Sequence, residues 1–158
     1  MTLNPINAPA TYDRSNEQQF RGQVAAALGR APFAQSSAAL PARMAASEAI
    51  SDGAFCNIWS NAGVCELRNA DNTAPGKEAD VFVLKGVAIT GVPLLYGPGS
   101  INTAVAGLTP GIDYWLGAAG TVTSTPPSTE HSGDVVQYVG KALSATSLLF
   151  IPREPKTL

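Results

Sequence analysis

From Phe55 onward the apolar residues arrive in short runs, each cut off by glycine, proline or a polar turn. A chain punctuated this often builds short strands and reversals rather than long helices. Phe55-Cys56-Asn57-Ile58-Trp59 and Val64-Cys65-Glu66-Leu67-Arg68 flank Ser60-Asn61-Ala62-Gly63, the pattern of a hairpin. The run Val81-Phe82-Val83-Leu84, continuing toward Val87-Ala88-Ile89, is almost unbroken and predicts burial on both faces. Val92-Pro93-Leu94-Leu95-Tyr96 reads as a further strand with its proline at an edge or bulge. Asp113-Tyr114-Trp115-Leu116 is a short strand, and Gly117 to Gly120 a tight reversal into Thr121-Val122-Thr123-Ser124. Asp134 to Ala142 and Ser147 to Ile151 complete the sheet. The expected fold class is all-β, a small sandwich or barrel of about seven to nine short strands. An extended arm and one short α-helix precede it.

Three regions separate on this reading. Residues 1–41 form an N-terminal arm, helix and linker, residues 42–152 the β-domain, and residues 153–158 an irregular tail. Pro5 and Pro9 keep the arm extended. Asp13 or Ser15 can cap the helix, and Ser15-x-x-Gln18 has capping-box spacing. Phe20, Val24 and Leu28 recur every four residues, and Gly29 is a natural stop. So narrow a stripe either packs on its own domain or, as the following linker favours, on a partner through an a/d-like seam. Arg30 to Pro41 is small, uncharged after Arg30 and without a sustained period.

Charged residues make up 14% of the 158-residue chain, ten cationic against twelve acidic, for a net charge of −2. With a sequence pI near 5.3, such a chain is expected to offer neither a nucleic-acid surface nor a polybasic membrane anchor. No run approaches the roughly 20 apolar residues that span a bilayer, and Met1 to Pro5 has no leader character, so synthesis in a cytoplasm is expected. Cys56 and Cys65 are too few for a disulfide framework or a closed zinc site. They read as buried, reduced hydrophobes or, if the register allows, as a cross-strand pair. The single histidine, His131, excludes multi-histidine metal sites within one chain.

Catalytic patterns do not assemble. Gly97-Pro98-Gly99 lacks a third glycine and a following helix. Ser128, His131, Ser132 and Asp134 share one proline-flanked loop, which reads as a solvated turn rather than a triad on a rigid frame. Asp71, Glu78 and Asp80 do not have calcium-loop spacing. No catalytic residue, cofactor or metal is therefore expected. Trp59, Tyr114 and Trp115 are candidate exposed interface aromatics, with adjacent Tyr114 and Trp115 pointing to opposite faces of a strand.

Met44 to Pro152 resembles a small β module that recurs in structural proteins of tailed bacteriophages. Ala46 to Trp59 resembles its leading strand, and Leu67-Arg68-Asn69-Ala70-Asp71 its R-x-A-D turn. Lys77 to Leu84 is similar to its next strand, with Asp80-Val81 in place of the usual small residues. Gly107 to Leu116 resembles G-L-T-P-G-x-x-Y-Y-L. The most specific elements are Thr121 to Pro127 and Val135-Val136-Gln137-Tyr138-Val139-Gly140-Lys141-Ala142-Leu143-Ser144-Ala145-Thr146, followed by Phe150-Ile151-Pro152. Ala8 to Glu17 is similar to the P-x-Y-D-R-x-N-E opening of phage fibre and tail-attachment proteins.

The resemblance implies a non-enzymatic virion protein made in the host bacterial cytoplasm. Tyr12, Arg14, Phe20, Val24 and Leu28 would attach it to the tail or head–tail region, and the β-domain would project or oligomerise, with a trimer favoured. The implied partners are tail, head–tail connector or major capsid proteins. A capsid decoration protein (cement or head fibre) is the alternative reading. A carbohydrate-binding module using Trp59 or Trp115 is a lesser one.

Overall fold

The computed structural model describes residues 39–40, 42–128 and 133–158. The predicted arm and helix, with Tyr12, Arg14, Phe20, Val24 and Leu28, and also His131, lie outside the described residues. The described residues are all-β, as the sequence predicts, with ten strands in three sheets rather than seven to nine.

The strands are β1 (Phe55–Asn61), β2 (Val64–Asn69), β3 (Val81–Phe82), β4 (Ile101–Asn102) and β5 (Asp113–Leu116). They continue as β6 (Val122–Thr123), β7 (Val135–Val136), β8 (Tyr138–Ser144), β9 (Ser147–Phe150) and β10 (Lys156–Thr157). One sheet has the order β2-β1-β3, another β4-β9-β8-β5-β6, and β10 pairs with β7 in a small third sheet. Residues 153–158, expected to be irregular, thus contribute a two-residue strand.

The hairpin is tighter than the sequence suggests. β1 and β2 run up to a two-residue turn, Ala62-Gly63, in which both residues have positive φ (+48° and +87°). That is the geometry whose twist matches the strands it joins. Cys56 lies opposite Asn69, and Cys65 opposite Ser60, so the thiols are not cross-strand neighbours. Both are free; Cys56 is buried, whereas Cys65 is exposed rather than buried as expected. Burial pushes the Cys56 thiol up to about 12, which leaves it protonated and unreactive.

Around β3 and residues 55–57 the three-stranded sheet is enclosed on both faces. Phe55 and Phe82 point into a core shared with the five-stranded sheet through Leu116, Val139, Leu148 and Phe150. The Phe55, Phe82 and Phe150 rings pack with centroids 5.3–5.9 Å apart in tilted or edge-on pairs. Cys56, Val81 and Val83 point the other way, into a second core with Ala46, Ile50 and Leu67. The predicted two-sided burial of Val81 to Val83 holds. Its continuation does not, because the chain turns at Ala88–Gly91 and Val87 makes only a single bridge to Ile50.

Short contacts prolong this sheet at both edges. Ala45 and Ser47 pair with Leu67 beyond β2. On the other side Phe82 exchanges two hydrogen bonds with Tyr96, and the Leu40 N–H then donates to the Leu95 carbonyl at 2.6 Å. The predicted strand at Val92–Tyr96 is therefore reduced to bridges at Leu95 and Tyr96. Pro93 has no N–H to extend the ladder.

Candidate interaction surface

Many residues of the phage-like motifs are engaged inside the fold. The Gln137 amide is buried and clamps the backbone of Ala79, its Oε1 accepting from the N–H at 2.7 Å and its Nε2 donating to the carbonyl at 3.0 Å. One side chain thereby completes a strand pairing that β3 is too short to make. At Gly140 any Cβ would lie 2.0 Å from the Leu149 carbonyl oxygen, so only glycine lets β8 approach β9 this closely.

A polar network closes the edge of β1 beyond its two-residue pairing with β3. Asp80 Oδ2 accepts from the Ile58 N–H at 2.8 Å and from Asn57 Nδ2 at 3.1 Å. Arg68 Nε donates to Asn57 Oδ1 at 2.9 Å, and another guanidinium nitrogen donates to the Gly76 carbonyl. Burial raises the Asp80 carboxyl above its ordinary value, against the hydrogen bonds that hold it ionised. Among the described residues no buried side-chain nitrogen or oxygen lacks a partner, and no three His, Cys, Asp or Glu side chains converge.

The predicted interface aromatics are also largely occupied. Tyr114 is a correction: it is only 5% exposed, sits in the shared core and accepts from the Thr109 N–H through its hydroxyl at 2.9 Å. Trp115 is the outward member of that pair, as alternation requires, but it is half-buried and meets Tyr138 edge-on. Arg153 covers the Tyr138 ring at 4.5 Å. Trp59 is half-buried, has Arg68 stacked over its ring at 4.7 Å and donates its indole N–H to Ser47. Each of the three rings therefore already has a neighbour within the chain.

Beside Tyr138, Lys141 Nζ lies 2.6 Å from Asp113 Oδ1, and this hydrogen bond holds the Asp113 carboxyl below the usual range. The pair is half exposed and contributes little to stability.

The surface that stands out is aliphatic. Along Val92–Leu95 alternate side chains face opposite ways: Pro93 and Leu95 are buried, while Val92 and Leu94 are 51% and 62% exposed. Val92, Pro93 and Leu94 form a ridge between two shallow grooves. Leu40, Ala42 and Arg43 line one, and Leu84, Val87 and Tyr96 the other, with Lys85 at its rim. The Lys85 ammonium is paired with Asp52 at 2.8 Å. Ile89, 61% exposed, precedes the ridge in a turn where Thr90 takes φ +69°. A β-branched residue seldom adopts that conformation. The sequence contains the signal for this surface, since the segment is apolar at consecutive positions, but not which face the fold leaves bare.

No protein-family profile matches the chain, and no curated relative matches it. Among solved structures it is similar to the N base of the head fibre gp8.5 of bacteriophage phi29. The identity is 18% and the TM-score 0.44, over 69% of this chain and 91% of that one. A likeness this loose carries no conclusion about what the chain does.

Proposed function

We propose that the chain is a non-enzymatic structural protein of a bacteriophage virion. Its N-terminal segment attaches it to the tail or head–tail region, and its β-unit projects or oligomerises. The observation that carries this reading is the placement of the motif residues. Gln137, Gly140 and Arg68 hold strands together, and the prominent outward feature is an aliphatic ridge. Residues that a binding or catalytic site would present to solvent instead build a scaffold. The virion assignment draws its support from the ordered sequence likeness of Met44 to Pro152 and of Ala8 to Glu17 to phage structural proteins. Partners are then other virion proteins, and the attachment residues are Tyr12, Arg14, Phe20, Val24 and Leu28.

Purified virions containing the full chain, compared with virions assembled with a chain lacking residues 1–30, test this directly. The full chain should co-purify with particles, and the truncated chain should fold, by circular dichroism, yet be absent from them. Incorporation of the truncated chain would remove the attachment role, and absence of the full chain would remove the virion reading. Copy number per particle by gel densitometry separates a few copies at the tail from the many of a head-decoration protein.

A further inference from the structure

We infer that the Val92–Leu94 ridge and its two grooves are the face on which a second copy of this chain packs. This rests on the oligomerising role proposed above and assigns it a surface. Val92, Leu94 and Leu40 are exposed aliphatics on one edge of the β2-β1-β3 sheet, with half-buried Leu84, Val87 and Tyr96 beside them. A contiguous aliphatic surface of this kind marks a contact site. Pro93 and the Leu40 bridge keep the sheet edge from adding another strand, so the contact is made by side chains rather than by ladder extension.

Two features favour a like copy over an unlike partner. The centre of the ridge carries no charge, Arg43 lies at one rim, and Lys85 is neutralised by Asp52. Identical surfaces can therefore bring their uncharged ridge centres together about a symmetry axis with Arg43 at the periphery, and the centre has no charge pattern for an unlike partner to complement. The chain also enters the described fold at Ala39–Leu40, in the wall of the first groove. Copies that meet at the ridge bring together the points where their N-terminal segments join the fold, and the Phe20, Val24, Leu28 stripe has the spacing of a self-pairing seam. Six side chains are fewer than the roughly 20–30 residues a standard interface uses on each side. The ridge contact is consequently concentration-dependent and reinforced by the segment that precedes it.

The test is analytical ultracentrifugation of the full chain at two concentrations, beside a Val92→Asp/Leu94→Asp double variant. A milder Val92→Thr/Leu94→Gln pair guards against misfolding, and Leu143→Asp on β8 is the control. The wild type and the control should associate equally. The Asp pair should be monomeric and the milder pair at least ~10-fold weaker in association, the loss of about 1.4 kcal/mol of contact, with thermal midpoints unchanged at a concentration where the wild type is also monomeric. A monomeric wild type at both concentrations, or ridge variants that associate as the wild type does, would overturn the assignment. The virion reading fails separately: a chain that associates through the ridge but is absent from particles removes that reading and leaves this face standing.

Discussion

Two apolar segments of the same sheet, Val81–Val83 and Val92–Leu95, are written alike in the sequence and finished differently in the fold. In the first, Phe82 faces the core shared with the five-stranded sheet, while Val81 and Val83 face the second core. Each neighbour of that strand comes from within the chain. In the second, Leu95 joins the second core, and the alternate residues Val92 and Leu94 are left in solvent. The first segment is central in its sheet, bracketed by β1 and by Tyr96, whereas the second lies at the edge, beyond which there is only Leu40. An apolar pattern on both faces thus states a requirement for cover without stating whether the same molecule provides it. Here the requirement is left open at an edge, where the role proposed above would have a second copy meet it.

Mutations can break or sharpen this contrast, and urea unfolding reads each of them. Phe82→Ala empties the enclosed segment's largest side chain from the shared core and should cost about 3–5 kcal/mol; a loss below about 1 kcal/mol would mean that the two sheets do not depend on a common core. Gln137→Ala leaves the N–H and carbonyl of buried Ala79 without partners beside the same segment. A cost of about 2 kcal/mol follows, and a neutral result would show that water replaces the clamp. The smallest effect belongs to the ridge, where Leu94→Ala should change stability by no more than about 0.5 kcal/mol. A loss of about 2 kcal/mol or more in the monomer would show that Leu94 packs within its own chain and would erase the contrast.

The sequence was most legible where a strand is long enough to alternate or is enclosed outright. The β1–β2 hairpin, β5, β8 and β9, and the burial of Val81 to Val83 were all readable in this way. It was least legible at two of the two-residue strands. β4 and β10 carry no period, because one alternation cannot distinguish a strand from a turn, and their pairing is set by β9 and β7. Val87–Ile89 has strand composition but lies where the chain must reverse to bring Tyr96 beside Phe82, and the reversal prevails. Alternation placed Tyr114 and Trp115 on opposite faces but could not say which face was inside, since that depends on β8 and the opposing sheet. Gln137 and Gly140 were recognisable as motif residues before their purpose was. An amide that pairs with the backbone of Ala79, 58 positions away, leaves no local trace of the contact.

The chain contains two tryptophans, and the architecture distributes them one to a layer: Trp59 on β1, beneath Arg68, and Trp115 on β5, against Tyr138. Each layer therefore carries its own built-in fluorophore, with a different neighbour against its ring. Replacing either indole by phenylalanine leaves an optical probe of a single sheet, so the cooperativity of the two layers can be followed by light emission without attaching any label to the protein.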